Sequence, residues 1–293
     1  MLQEAVGVYI ASLSMKEDQR GGNRNTIMAY RNDLNQLCSY LTSQGVESWP
    51  CIRREHITQY LQEMQEAHSY RPTTIARKLA AFKSFFRHLR STGAIACDPI
   101  DTLESPRVTR DLPQVLSAEQ ITNLFCQVNQ ETPVGKRDLA MLHMLYATGM
   151  RVSELVALNV DDFDPEQAVV SCPGRNGKAM SARNLPLSSV VVQVTQQYLE
   201  QARPYLLRNA ETPSLFLNHH GARLTRQGFW LIIKGYARQT NITDITPHML
   251  RHSFAIVKLK EGMELRSVQA LLGHAHISTT QVYSQLATTL TDK

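Results

Sequence analysis

The sequence lacks the marks of a membrane-spanning, secreted or zinc-binding protein. It contains no run of about 18 apolar residues, which a transmembrane helix requires. The first residues, MLQEAVGVYIASLSMKED, have neither the basic start nor the small-residue cleavage site of a secretory signal. The five cysteines are odd in number and include no CxxC pair, which argues against a disulfide framework and a zinc ribbon. These absences predict a cytoplasmic protein with reduced, buried thiols and no membrane partner.

Charge of one sign is only slightly in excess. The 31 Lys and Arg residues outnumber the 26 Asp and Glu residues, which gives a net charge of +5. This is a weak indication of a polyanionic partner, because many basic proteins bind no nucleic acid. A length of 293 residues and a hydrophobic content of 43% are typical of a globular chain with room for two domains.

The first third of the chain predicts a small helical domain. Apolar residues repeat at spacings of three and four over residues 25–45, 55–68 and 73–89, which is the pattern of amphipathic helices. On the flank of the third helix, Lys83, Arg87 and Arg90 fall within one sector. Two interpretations stay open for these three residues: a solvated basic face, or a track that binds DNA phosphates.

The stretch TLESPRVTRDLPQVL, residues 102–116, separates this domain from a larger one. Its prolines, its basic residues and the absence of a period predict a linker. Ser117, followed three residues later by Gln120, matches a capping box that opens the next helix. We therefore place a helical domain at residues 1–104, a linker at 105–116 and a second domain at 117–293.

The second domain is predicted to combine helices with a small antiparallel sheet. Residues 168–172 and 182–187 have extended patterns on either side of an Asn-Gly turn, which predicts a β-hairpin. A short strand is predicted at Leu215–Leu217. The predicted helices before the C-terminal segment are residues 117–126, 134–149, 151–158, 190–202 and the segment after Thr225. The fold class is therefore mainly α, with an α+β second domain.

Chemically active side chains are concentrated between residues 246 and 283. A helix is predicted to begin at Thr246 and Pro247, and His248, Arg251 and His252 share one of its faces at i, i+3 and i+4. Gly273 ends the next helix and presents His274 from a turn, and a third helix carries Tyr283. Three imidazoles, a guanidinium and a phenol so close in sequence could form a site for an anion and a nucleophile.

Attack on a DNA phosphodiester needs these groups. The nonbridging oxygens need positive charge, and Arg151 and Arg251 could clamp one phosphate with planar forks that stay charged. The phenol of Tyr283 has an ordinary pKa near ~10, so it needs a neighbour that accepts its proton as it attacks. His248 and His274 are candidates for bonding the phosphate and for this proton transfer.

Four motifs in this order resemble the tyrosine recombinase (integrase) family, and most closely its Xer-type members. They are Arg151 in TGMRVSEL, the box HMLRH from His248 to His252, the sequence LGH ending at His274, and Tyr283 in STTQVYS. In the first domain, TIMAYRNDLNQLCSYL and TTIARKLAAFKSFFRHL resemble the SAM-like, helical core-binding domain of that family. The resemblance therefore covers nearly the whole chain.

The resemblance implies a site-specific DNA recombinase that needs neither metal nor nucleotide cofactor. Tyr283 would form a 3′-phosphotyrosyl link and free a 5′-hydroxyl, which then attacks the equivalent link on a partner strand through a Holliday junction. Four protomers would act on two duplexes that carry the recombination site, as a homotetramer or as a heterotetramer with a second recombinase. The two domains would close around double-stranded DNA as a clamp.

The family's general-acid lysine on the β-hairpin has two candidate positions. Alignment on the turn GRNGK selects Lys178, whereas counting back from the end of the second strand places Ser181 at the lysine position. Lys178 is preferred because it is the one lysine of the hairpin, and an ammonium group on a β-turn can reach the minor groove.

The same residues allow other interpretations. His248 and His252 at i, i+4 could bind zinc, but Met249 stands where a zinc hydrolase needs glutamate. His252 is expected to pack and to support the site, and Glu154 to orient Arg151 or a helix end. A type IB topoisomerase uses the same chemistry on one duplex, and a noncatalytic DNA-binding regulator could share the fold.

Overall fold

The computed structural model describes residues 2–20, 24–66, 69–106, 113–173, 182–208, 211–240 and 242–289. The chain folds into two compact units, Met1–Arg110 and Asp111–Lys293. The break between the units falls inside the predicted linker, whose ends at residues 105 and 116 stay a prediction. Within the described residues, no helix is both long and apolar enough to cross a membrane.

The first unit is a helical bundle. Its helices are α1 (Leu2–Arg20), α2 (Arg24–Ser43), α3 (Arg54–Glu66) and α4 (Pro72–Ser91), with a single 3-10 turn at Trp49–Cys51. The core is aromatic, because Phe85 of α4 packs edge-on against Tyr9 and Trp49, with ring centroids 5.2 and 4.7 Å away. The three predicted helices are confirmed as α2, α3 and α4, whereas α1 was not predicted.

The second unit contains nine described α-helices and a three-stranded sheet. The helices are α5 (Ala118–Cys126), α6 (Pro133–Thr148), α7 (Val152–Leu155), α8 (Ser189–Gln201), α9 (Arg203–Leu207), α10 (Arg226–Ala237), α11 (Pro247–Lys260), α12 (Leu265–Leu272) and α13 (Ser278–Thr289). The strands are β1 (Phe163–Asp164), β2 (Val169–Cys172) and β3 (Arg183–Pro186). They pair antiparallel in the order β1-β2-β3, with Val170 opposite Leu185.

Most local predictions for this unit are confirmed. Ser117 and Gln120 exchange the two hydrogen bonds of a capping box, at 3.1 and 2.9 Å, and thereby fix the start of α5. The hairpin is formed by β2 and β3. The predicted strand at Leu215–Leu217 is wrong, because the chain there makes only isolated bridges, Asn159 to Ser214 and Leu217 to Arg223. Among the described residues, no strand pairs with residues 215–217.

The prediction of buried thiols is right for two cysteines and wrong for three. Cys38 and Cys172 are buried, whereas Cys51, Cys97 and Cys126 are exposed. The exposed three lie at the end of a helix or in a loop.

Helix α11 positions the site because it packs into two apolar clusters. Its start, with Met249 and Leu250, belongs to the main core of the unit, which also buries most of α6. Its middle, with Phe254 to Ile256, packs against α12 and α13 in a second cluster that includes Tyr283. Residues of α11 are therefore held from two sides, and its polar face is fixed relative to α6, α12 and α13.

Candidate active site

Arg151 directly precedes α7, and its side chain connects that helix to the end of α12. Its backbone N–H donates to Glu154 Oε2 at 2.7 Å, and its Nη1 donates to Glu154 Oε1 at 3.1 Å. Its Nη2 donates to the carbonyl of Gly273 at 3.1 Å. Side-chain and backbone contacts with Glu154 therefore orient the guanidinium, as the sequence predicted.

Arg251 reaches the same turn from α11. Its Nη2 donates to the carbonyl of Leu272 at 2.7 Å, and its Nη1 donates to the carbonyl of Gly149 at 2.6 Å. The residue is only 4% exposed. Burial, followed by the positive charge of Arg151, lowers the pKa of its guanidinium to about 10, so it is still charged at pH 7. Two arginines that are far apart in sequence thus donate to adjacent carbonyls.

The helix ends that supply these carbonyls each finish with a glycine in the left-handed conformation. Gly149 ends α6 at a φ of 59°, and an added Cβ would lie 2.3 Å from the ring of Phe254. Gly273 ends α12 at a φ of 63°, and an added Cβ would lie 3.0 Å from Arg183 Nη1. Both conformations favour glycine, and an added Cβ would clash at Gly149 and make a tight contact at Gly273. The two helix ends are therefore shaped around the arginines.

Arg183 is a third guanidinium of the site, and the sequence analysis missed it. From β3 it donates through Nη1 and Nη2 to the two oxygens of Glu154, at 3.2 and 3.1 Å, and through Nε to the carbonyl of Leu271 at 2.6 Å. Burial raises the pKa of the Glu154 carboxyl, but the hydrogen bonds and charges of Arg183 and Arg151 outweigh burial and lower it. Glu154 is therefore a buried anion that holds two arginines. The sequence places Arg183 in a predicted strand, but it does not show which distant residue the side chain contacts.

The charges of this cluster leave it complementary to an anion. Among the described residues, Glu154 pairs with the guanidinium groups of Arg151 and Arg183, and the buried guanidinium of Arg251 bonds the carbonyls of Gly149 and Leu272. A buried positive charge without a counterion is costly, and the mutual repulsion of the arginines adds to that cost. Binding a phosphodiester, which carries one negative charge and develops more during attack, relieves this repulsion.

His274 is presented by the turn after α12. The N–H of Gly273 donates to the carbonyl of Ala270 at 3.0 Å, and the N–H of His274 donates to that of Gln269 at 3.2 Å, which is a Schellman motif. The Nδ1 of His274 lies 3.0 Å from Oγ1 of the buried Thr280. Burial, with the charges of Arg251 and Arg151, lowers the pKa of His274 to about 4. Its imidazole is therefore neutral at pH 7.

His248 lies one turn before His252 on the polar face of α11, with the two ring centroids 6.2 Å apart. It is exposed, in contrast to Arg251. Desolvation of its ring, followed by the charges of Arg251 and Arg151, lowers its pKa. His248 is thus a neutral imidazole at the solvent side of the two arginines.

Tyr283 of the same chain lies in this pocket. Its side chain is only 3% exposed, and its hydroxyl lies 2.8 Å from Nδ1 of His252. The rings of His252 and His274 lie 5.4 and 6.2 Å from its ring, centroid to centroid. Burial raises the pKa of the phenol, and the charges of Arg251 and Arg151 oppose that rise. The phenol is therefore within electrostatic reach of both arginines.

Two further sets of site residues were predicted. Lys178 and Ser181 are outside the described residues. Lys83, Arg87 and Arg90 lie on α4 in the other unit, where Arg87 and Arg90 are exposed and Lys83 is half-buried. The structure therefore brings together five of the six predicted catalytic side chains. It places beside them Glu154 and His252, which were expected to support the site, and it adds Arg183 and Thr280.

Chemically, the pocket offers charged forks for an anion, neutral imidazoles and a phenol as nucleophile. Among the residues that the structure describes, no cluster of three or more His, Cys, Asp or Glu side chains could hold a metal ion. The positive charges that face the phenol come from arginines, whose forks can bond two oxygens of one phosphate.

Comparisons with known proteins cover both units. The model of the phage integrase family matches residues 114–289, and that of the phage integrase N-terminal SAM-like domain matches residues 14–93. The chain is 45% identical over 272 residues to the tyrosine recombinase XerC of Roseiflexus sp. (strain RS-1), covering 92% of this chain and 86% of that protein. It is 42% identical over 271 residues to the tyrosine recombinase XerD of Listeria innocua serovar 6a, covering 92% and 90%.

Solved structures share the fold. A lambda integrase (75-356) dimer bound to a COC′ core site has a TM-score of 0.76 at 14% identity, covering 96% of this chain and 94% of that chain. XerH site-specific recombinase in a post-cleavage complex with palindromic difH substrate has a TM-score of 0.74 at 20% identity, covering 93% and 80%. At these identities the likeness establishes the mainly helical architecture with a small antiparallel sheet.

Proposed function

Because this chain belongs to the phage integrase family and is a tyrosine site-specific recombinase, we propose that it cleaves DNA with Tyr283. Arg151 and Arg251 bind the scissile phosphate, and His248 and His274 bond its oxygens. The observation that carries this assignment is the meeting of both guanidinium groups at Leu272 and Gly273, with the phenol in the same pocket.

The chemistry is an exchange of esters. The oxygen of Tyr283 attacks phosphorus, the bond to the 5′ oxygen breaks, and the protein is left joined to the 3′ phosphate. The negative charge that builds up on the nonbridging oxygens is met by Arg151 and Arg251, whose positions are fixed before DNA arrives by bonds to carbonyls and to Glu154. The 5′-hydroxyl of a partner strand reverses the attack, so that no external energy source is needed.

The wider assembly is also part of the proposal. Four copies act on two duplexes through a Holliday junction, or two copies join two of a second recombinase. The basic face of α4, with Lys83, Arg87 and Arg90, contacts DNA phosphates, since Arg87 and Arg90 are exposed. Unchanged DNA affinity after Arg87→Glu would remove this face from the interface.

A nicked substrate tests the reaction. The nick lies close to the scissile phosphate, so the short fragment that carries the freed 5′-hydroxyl diffuses away after cleavage. A covalent protein–DNA adduct should then accumulate. Addition of a second duplex with a matching 5′-hydroxyl should then yield a joined DNA. Absence of an adduct would leave a noncatalytic DNA-binding regulator, and an adduct that religates only its own duplex would point to a topoisomerase.

The general acid is proposed to be Lys178 of the hairpin rather than Ser181. A substrate whose 5′ leaving oxygen is replaced by sulfur decides between them, because a thiolate leaves without a proton. We expect Lys178→Ala to slow cleavage of normal DNA by about 10²-fold, and to be restored by the sulfur substrate. The matched Ser181→Ala variant should cleave both substrates at the wild-type rate. The opposite pattern would assign the acid to Ser181.

A further inference from the structure

The hydroxyl of Tyr283 is held by a histidine that the reaction as described above does not use. His252 directly follows Arg251 on α11, and its Nδ1 lies 2.8 Å from the phenol oxygen. Among the described residues, His252 is the hydrogen-bond partner of that hydroxyl. The other two histidines of the pocket are placed differently: Nδ1 of His274 faces Thr280, and His248 is exposed.

We propose that His252 is a catalytic residue, the base that takes the proton of the Tyr283 phenol as its oxygen attacks phosphorus. From the sequence, only packing and support of the site are expected of this residue. The inference rests on the proposed function of Tyr283 and adds the destination of its proton.

The surroundings of His252 keep its imidazole unprotonated, which is the form that a base needs. His248 and Arg251 face it from α11, His274 from the turn after α12, and Tyr283 from α13. Burial, followed by the charges of His248 and Arg251, lowers its pKa to about 4, so the ring is neutral at pH 7. A neutral imidazole with its proton on Nε2 presents a lone pair at Nδ1, which is the atom that faces the phenol.

Binding of DNA strengthens this base. The scissile phosphate brings negative charge to Arg251, whose positive charge helps to lower the pKa of His252, and an added negative charge raises the pKa of a nearby imidazole. The proton is therefore accepted most easily when phosphate is bound. Without DNA, the phenol keeps its proton because burial raises its pKa.

The proton balance closes over one cycle. As the bond between Tyr283 oxygen and phosphorus forms, the phenol proton moves to Nδ1 of His252. The bond to the 5′ oxygen breaks with its electron pair, and that oxygen takes a proton from the hairpin acid or from water. On religation the imidazolium of His252 returns its proton to the departing Tyr283 oxygen, while the attacking 5′-hydroxyl gives its proton back to the hairpin group or to water.

Two substitutions separate a base from a hydrogen-bond partner. Asparagine can place an amide near the position of Nδ1 and keep a hydrogen bond to the phenol, but it cannot accept a proton. We expect both His252→Asn and His252→Ala to slow single-turnover adduct formation on the nicked substrate by about 10²-fold. Affinity for the substrate, measured by gel shift, should stay unchanged. The exposed His276→Asn variant is the matched control and should cleave at the wild-type rate.

Fluorinated tyrosine at position 283 gives a second readout that a structural role would not affect. Its phenol has a lower pKa and needs less help to lose its proton. The defect of the full-length His252→Asn and His252→Ala chains should therefore shrink by about tenfold when Tyr283 is replaced by fluorotyrosine. Thermal unfolding of each variant identifies any loss of folded protein. If the His252→Ala variant is unfolded, the His252→Asn variant alone provides the test.

The outcomes are distinct. Wild-type cleavage by His252→Asn would show that a hydrogen bond suffices, and faster cleavage by His252→Ala would show that His252 restrains the phenol; each overturns the inference. A defect that fluorotyrosine leaves unchanged would overturn it as well. In all three cases the wild-type chain still forms its adduct, so the proposed role of Tyr283 would stand. Failure of the wild-type chain to form an adduct would instead refute the proposed function itself.

Discussion

Tyr283→Phe should abolish the covalent DNA adduct and leave DNA binding intact. The substitution removes one oxygen, the proposed nucleophile, and keeps the ring that packs with Phe254, Val268 and Leu272. The lost hydrogen bond to His252 costs about 1 kcal/mol of folding free energy, so the variant should stay folded. Loss of a covalent nucleophile is expected to lower the cleavage rate by ~10⁴-fold or more.

The measurement is adduct formation on the nicked substrate, resolved by denaturing gel, with gel-shift affinity and thermal unfolding recorded in parallel. Tyr146→Phe is the matched control, because Tyr146 is a partly buried tyrosine of α6 in the same unit. It should form the adduct as the wild-type chain does. An adduct from the Tyr283→Phe chain, or a wild-type adduct that peptide mapping places on another residue, would refute the assignment of the nucleophile.

Helices were predictable where their apolar residues repeat without interruption. Helix α4 buries Leu79, Phe82 and Phe86 on one stripe, and its sequence shows that stripe directly. Helix α1 escaped prediction because Val8 and Met15, 61% and 73% exposed, blur the pattern of its buried side chains. The bridges of residues 214–217 resemble a strand in sequence, since a buried run such as Leu215 to Leu217 is apolar in either case.

The site was predictable as far as its residues share one helix or one motif. Helical spacing places His248 and Arg251 together on α11, and the glycine at position 273 predicts the turn that presents His274. The contact between His252 and Tyr283 depends on how α13 packs back against α11, which no local pattern reports. The same holds for Arg183, whose partner Glu154 lies 29 positions earlier in the chain. Electrostatic pairing across elements is a property of the tertiary structure.

Arg251→Ala should produce the largest loss of catalysis among the arginines. Arg251 is buried, and its guanidinium bonds the carbonyls of Gly149 and Leu272, at the ends of α6 and α12. Alanine removes a charge that faces the phosphate, which is expected to slow cleavage by about 10²- to 10³-fold. It also leaves two buried carbonyls without a donor, at about 1–3 kcal/mol of folding free energy each. Arg251→Lys keeps the charge without the fork and should recover only part of the rate.

A modified substrate separates the effect of Arg251 on catalysis from its effect on folding stability. A methylphosphonate at the scissile position replaces one charged oxygen by a methyl group, so the transition state needs less positive charge. If Arg251 stabilises the negative charge on the phosphate oxygens, the cleavage defect of Arg251→Ala should shrink on this substrate. The lower unfolding temperature of the variant should persist. Arg266→Ala, which removes an exposed arginine of α12, is the control and should change neither quantity. An equal defect on both substrates would mean that Arg251 only supports the ends of α6 and α12 and does not stabilise charge on the phosphate.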